Sequence, residues 1–177
     1  DVVLAVGGGS SIDCAKVIAA GACYDGDAWE LVLDKSRIQS ALPLATVLTL
    51  AATGSEMNGG SVISNPDTNE KLSTNSPCLY PKFSILDPTL TYSVPKAQTA
   101  AGVADIMSHV FESYFTPVQG AEVQAQIAEG ILRTCIQYGP VAYAEPENYE
   151  ARANLMWAGT LAINGLCSLG APIGWSV

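Results

Sequence analysis

Only 8 of the 177 residues are lysine or arginine, against 17 acids, and histidine occurs once. A formal charge of -9 argues against nucleic acid or an anionic membrane surface as partner. An anionic ligand would have to be met by backbone amides and a few placed lysines. One histidine leaves no second imidazole base, and the chain offers no convincing Ser-His or Cys-His nucleophile. Long apolar runs are also missing: no segment could span a bilayer, and no basic stretch precedes an apolar one as in a secretion signal. The five cysteines, Cys14, Cys23, Cys78, Cys135 and Cys167, are odd in number and scattered, with no C-x-x-C. That pattern argues against a disulfide framework and fits reduced thiols in a cytoplasmic protein. No initiator methionine precedes the opening "DVVLAV", which reads as a core strand, so the chain is expected to be an excerpt of a longer protein.

What is present is apolar: 49% hydrophobic residues against 14% charged. This suits a packed, enzyme-like body with one sizeable core or two small ones, not a disordered or solenoid chain. There is no internal repeat. The first half alternates short apolar runs with turns. "VVLAV" (2–6) reads as a strand covered on both faces, and "SSIDCAKVIAAGA" as a helix. "LPLATVLTL" (42–50) is a second buried strand. "GGSVISN" and "KLSTNS" flank the turn "NPDTNE" as a hairpin, and "KFSILDP" (82–88) is a further strand. After Pro95 three helices are expected: one over "KAQTAAGVADIMSHVFESYFT", with Pro117 past its end, one closed by Gly139 and Pro140, and one ending near Gly170. The fold class predicted is an α/β part at 1–94 followed by an all-α part at 95–177.

Between the first strand and helix, "VGGGSSIDCAK" places three glycines and two serines. Glycine lets a backbone approach an anion, and a helix start offers amides and a positive dipole end. Ser10 is placed to cap the helix, with Asp13 completing a capping-box-like pair. The run is neither a Walker A loop nor a full G-x-G-x-x-G, since Ile12 holds the third place. A phosphate cradle and a plain tight turn both suit it. The polar loop "TLAATGSEMNGG" follows the second strand, with Thr49, Thr53, Ser55 and Asn58 at the edge where ligands of parallel sheets gather. An ordinary Ser/Thr-rich turn would look the same. Lys71 is one of few cations and sits just after the hairpin turn.

In "ADIMSHVFESYF", Asp105 and His109 stand four apart, on one helical face with Gly102 and Glu112. No lysine or arginine occurs from Ala97 to Leu132, so this polar stripe reads as a cleft lining, with Gly102 leaving room for a ligand. The pair could start a metal site or be a local hydrogen bond. A structural or catalytic metal takes three or four protein ligands, and no other histidine exists here.

"GGGSSIDCAK", "TLAATGSEMNGGSVIS", "EKLSTNSPCLYPKFSILDPTLTYSVPKAQTAAGVADIMSHVFESYF" and "NYEARANLMWAGTLAINGL" resemble consecutive blocks of the iron-containing (group III) alcohol dehydrogenases. The likeness is closest to the butanol dehydrogenase-like, NADPH-using aldehyde reductases, and it covers essentially the whole chain. It implies a dehydroquinate synthase-like architecture that is truncated at both ends. It implies NAD(H) or NADP(H) on the first part and a divalent metal, Fe or Zn, on the helical part. Gly7, Gly8, Gly9 and Ser10 would hold the pyrophosphate, and Asp13 would lie near the nicotinamide end. Thr49, Thr53 and Asn58 would line the cofactor cleft, and Lys71 would reach the ribose region. Asp105 and His109 would be two of four metal ligands. The other two in the family are histidines further along. The closing "GAPIGWSV" resembles the segment that runs into the third ligand.

The resemblance implies interconversion of small aldehydes or ketones and primary alcohols, in a homodimer when full length, with the chain alone inactive. Alternatives are a glycerol dehydrogenase or dehydroquinate synthase-like enzyme on the same architecture, or a non-catalytic fragment holding part of a dinucleotide.

Overall fold

The computed structural model describes residues 1–116 and 119–169. The expectations placed on Pro117, on Gly170 and on the closing "GAPIGWSV" lie outside these residues. The described chain forms β1 (Val3–Gly7), α1 (Gly9–Gly21), the short α2 (Trp29–Leu33) and β2 (Leu44–Leu48). It continues with β3 (Gly60–Asn65), β4 (Glu70–Asn75), β5 (Phe83–Ile85), α3 (Lys96–Tyr114), α4 (Glu122–Ala144) and α5 (Tyr149–Ala162). Two compact units result: Asp1–Leu48 with Ser55–Leu86, and Thr49–Gly54 with Asp87–Val177.

The first unit is α/β. Its sheet runs β1-β2-β5, with both pairings parallel, so β2 is central. β2 is the most buried strand, as its run of Leu44, Ala45, Thr46, Val47 and Leu48 demands. β1 departs from the expected double cover: Ala5 is buried, but Leu4 and Val6 on the opposite face are more than half exposed. α1 packs on β1, and no described element covers the Leu4 face. β3 and β4 form a separate antiparallel hairpin, Gly60 opposite Asn75 through Asn65 opposite Glu70. Its turn is closed by the Asn65 side chain, which accepts from the Asp67 amide at 3.0 Å, and by Asn69 in the left-handed region at φ 55°.

The second unit is helical. Its core joins Ile106 and Val110 of α3, Ala128, Ile131 and Cys135 of α4, and Ala151, Leu155 and Ala158 of α5. Two helix ends differ from expectation. α4 does not stop at Pro140 but continues to Ala144. Proline removes one amide donor and forfeits the bond to the carbonyl four residues back, on Ile136, whose own position is exposed to water. α5 begins at Asn148, whose side chain caps the Ala151 amide, and ends at Ala162, well before Gly170.

Residues 49–54 belong to the helical unit because small residues let them press against it. A Cβ on Gly102 would lie 2.6 Å from the carbonyl oxygen of Ala51. One on Gly54 would lie 2.3 Å from Ile163 Cγ2 and 2.9 Å from the Gly159 carbonyl oxygen. Gly54 also needs its positive φ of 58°. The room left by Gly102 is therefore filled by the chain's own backbone.

Candidate functional site

The glycine turn sits at the C-terminal end of β1. A Cβ on Gly7 would meet Ser11 Cβ and Oγ at 2.6 Å, so only glycine lets the chain fold back this closely. α1 is capped by Gly8, with no side-chain hydrogen bond. Ser10 is exposed inside the first turn and caps nothing, which corrects the expected capping box. The opening amides of α1 thus meet no side-chain acceptor, at a parallel-sheet edge suited to an anion.

Asp13 is not a capping partner because longer-range groups claim it. One carboxylate oxygen accepts the Ser55 hydroxyl in a short contact, and the other accepts the Val62 amide at 2.9 Å. Burial raises its pKa above the ordinary carboxylate value, while these hydrogen bonds and Lys16 pull it back. Three residues on, Lys16 is fully buried, at 0% exposure. Its ammonium donates to Ser55 Oγ at 2.9 Å, Asn58 Oδ1 at 3.1 Å and the Gly60 carbonyl at 2.7 Å. Burial lowers its pKa to about 8, against the pull of Asp13 and Glu56. Ser84 fastens the same segment from β5, accepting from Thr46 and donating to the Glu56 carbonyl, both at 2.7 Å.

The other expected cofactor residues fall in different places. Asn58 is in the first unit, half-buried, and its Oδ1 also accepts from the Gly60 amide at 3.0 Å. Thr49 and Thr53 belong to the helical unit. Lys71 is exposed on β4, opposite Ser64 in the hairpin register.

On α3, Ile106 and Val110 point into the core. Asp105 and His109 precede them by one residue, and so sit about 100° around the helix, on the face beside the buried one. His109 Nε2 and Asp105 Oδ2 are 3.6 Å apart, with the imidazole 13% and the carboxylate 41% exposed. This is an ion-pair separation, too long for a good hydrogen bond. Glu112 Oε2 lies 4.0 Å from His109 Nδ1, a buried nitrogen with no hydrogen-bond partner among the described residues. Asp105 raises the imidazole pKa above its ordinary value, and burial opposes that.

A carboxylate and an imidazole are suitable donors for a divalent first-row cation. Two donors of one such cation, each about 2.0–2.2 Å from it, stand roughly 3–3.5 Å apart, close to the spacing seen. The pair fits as part of a cage and not as a whole one. Among the described residues no group of three or more His, Cys, Asp or Glu stands together for a metal.

Lys16 is the site residue that reading the sequence missed. Its signal was present: on α1 it shares the stripe of Ile12, Ala15, Ala19 and Ala20, all buried. A lysine on an apolar stripe must find its partners inside.

A family model described as iron-containing alcohol dehydrogenase matches residues 1–88, and the C-terminal model of that family matches residues 99–173. NADH-dependent butanol dehydrogenase A of Clostridium acetobutylicum is 64% identical over 176 residues, 99% of this chain and 45% of that protein. The NADPH-dependent aldehyde reductase YqhD of Escherichia coli is 48% identical over 177 residues, covering 98% of this chain and 46% of the relative. The crystal structure of NADH-dependent butanol dehydrogenase A from Thermotoga maritima superposes with a TM-score of 0.94 at 46% identity, over 98% of this chain and 43% of that one. The chain thus spans less than half the length of the relatives it matches.

Proposed function

The chain belongs to the iron-containing alcohol dehydrogenase family, and from that membership we propose that it carries the dinucleotide turn and half of the metal cage of an NAD(P)H-dependent oxidoreductase. Its reaction interconverts small aldehydes and primary alcohols, or small ketones and the corresponding secondary alcohols. The relatives' names, NADH-dependent butanol dehydrogenase and NADPH-dependent aldehyde reductase, support this substrate class. The observation that carries the reading is the pairing of Asp105 with His109 at 3.6 Å on the partly buried face of α3.

Gly7, Gly8, Gly9 and Ser10 present the opening amides of α1 to a pyrophosphate. Asp105 and His109 hold a divalent cation, iron or zinc. When bound, that cation supplies Lewis acidity to a carbonyl oxygen beside the hydride donor. The protein's part is orientation. His109 accepts no proton in this scheme, because its lone pair is the metal donor, and the Asp105 carboxylate offsets part of the cation's charge. Asn58, Thr49 and Thr53 are dinucleotide-binding residues, and Lys71 is the cation for its ribose side. With two metal donors in the chain, the 177 residues alone are inactive. The longer enzyme works in the cytoplasm as a homodimer.

The test is a panel offered to the full-length enzyme: short aldehydes with NADH and with NADPH, and glycerol and a dehydroquinate-synthase substrate with NAD+ and with NADP+. Stoichiometric nucleotide oxidation with aldehydes is expected. Turnover without net nucleotide oxidation or reduction would place the enzyme with the lyases of the same architecture.

A further inference from the structure

We propose that Lys16 is a positioning residue for the dinucleotide site and acts through Asn58. The proposal rests on the cofactor reading above, and adds a residue that the reading does not use.

An ammonium has three N–H donors, and all three of Lys16's are matched: to Ser55 Oγ, Asn58 Oδ1 and the Gly60 carbonyl. These acceptors lie 39 to 44 residues further along the chain. One side chain therefore ties the helix that carries the glycine turn to the segment after β2. Asn58 Oδ1 receives two donors, Lys16 Nζ and the Gly60 amide. Two donors on one oxygen fix which edge of the carboxamide faces inward. Removing the lysine takes away one of these two donors and weakens the hold on the carboxamide's orientation.

Asp13 completes the brace. Both carboxylate oxygens are engaged, by Ser55 and by Val62, and its backbone carbonyl accepts the Ser61 hydroxyl at 2.9 Å. At 8% exposure it holds the Ser55–Val62 stretch in place. Ser55 links the two charges, accepting from Lys16 and donating to Asp13.

Replacing Lys16 alone takes the ammonium from the Ser55, Asn58 and Gly60 acceptors and from buried Asp13, which costs stability. An apolar side chain of the same length also supplies no donor to Asn58, so the stability loss and the affinity loss are read separately. Lys16 lies inside the brace, so its effect is on orientation.

The experiment is a double-mutant cycle on dinucleotide affinity in the full-length enzyme, read by nicotinamide fluorescence with NADH and with NADPH. The proteins are the wild type, K16M, N58A and K16M/N58A, each with its thermal midpoint measured. K16M and N58A are each expected to weaken binding by roughly ten-fold, the value of one hydrogen bond. The double variant should bind no more weakly than the weaker single one, since both changes remove the same oriented amide. Affinity losses that multiply in the double variant, or a K16M that melts lower yet binds as the wild type, would overturn the proposal. A wild type that binds neither dinucleotide would instead refute the cofactor reading, and this inference with it. Should K16M fail to fold, K16Q takes its place in the cycle, because its amide keeps donors for the buried acceptors.

Discussion

Gly102 lies so close to Ala51 that a Cβ on it would sit 2.6 Å from the Ala51 carbonyl oxygen. The obstacle is backbone, which cannot rotate aside as a side-chain tip can. G102A should therefore push α3 away from residues 49–54 and destabilise the helical unit by about 1–3 kcal/mol. Denaturant unfolding checks this. An unchanged midpoint would mean that the two segments are not in firm contact. The G130A change, on α4 with nothing near its would-be Cβ, is the control and should be neutral or slightly stabilising.

Arg152 is 5% exposed and has no acidic partner among the described residues. Its guanidinium instead donates to the Pro146 carbonyl at 2.8 Å and to Thr99 Oγ1 at 3.0 Å, joining the start of α5 to the first turn of α3. R152A should cost on the order of 2–4 kcal/mol through lost packing and orphaned acceptors. R152K should recover little of it, because an ammonium cannot span both acceptors as the planar fork does. Equal stability of R152K and the wild type would contradict this bridging role.

The Lys16 cluster gives a dependence on pH with a definite sign. Burial holds the folded ammonium's pKa at about 8, against 10.5 for an ordinary lysine. Between those values the unfolded chain binds more protons than the folded one, so stability rises with pH there. The cost of the buried charge is full below about pH 8 and is relieved as pH climbs towards 10.5. Relative to K16M, in which the other tyrosines and lysines cancel, the wild type should gain on the order of a few kcal/mol over that window. A flat difference would show that the charge is not desolvated.

Much of the fold could be read directly. The short apolar stretches that became β1, β2 and β5 stand between turn residues, the hairpin has its Asn-rich turn, and the i, i+4 spacing of Asp105 and His109 does bring them together. The misreadings share a cause: local signals were outbid by partners far along the chain. Asp13 has the spacing of a capping box, but Ser55 and Val62 take its carboxylate. Gly102 has the position of a ligand-side gap, but Ala51 fills it. Pro140 carries a stop signal, but the carbonyl it leaves without its bond is that of exposed Ile136, and α4 runs on. None of these competitors is visible within a helical turn of the residue it claims.

The claim on which the account turns is that Asp105 and His109 hold the catalytic cation. Metal content per subunit, measured by elemental analysis on the full-length enzyme and on D105A and H109A, tests it most directly. Both variants should fold as the wild type, lose most of the bound metal and lose aldehyde reduction with it. Wild-type metal content in either variant, with reduction intact, would contradict the assignment.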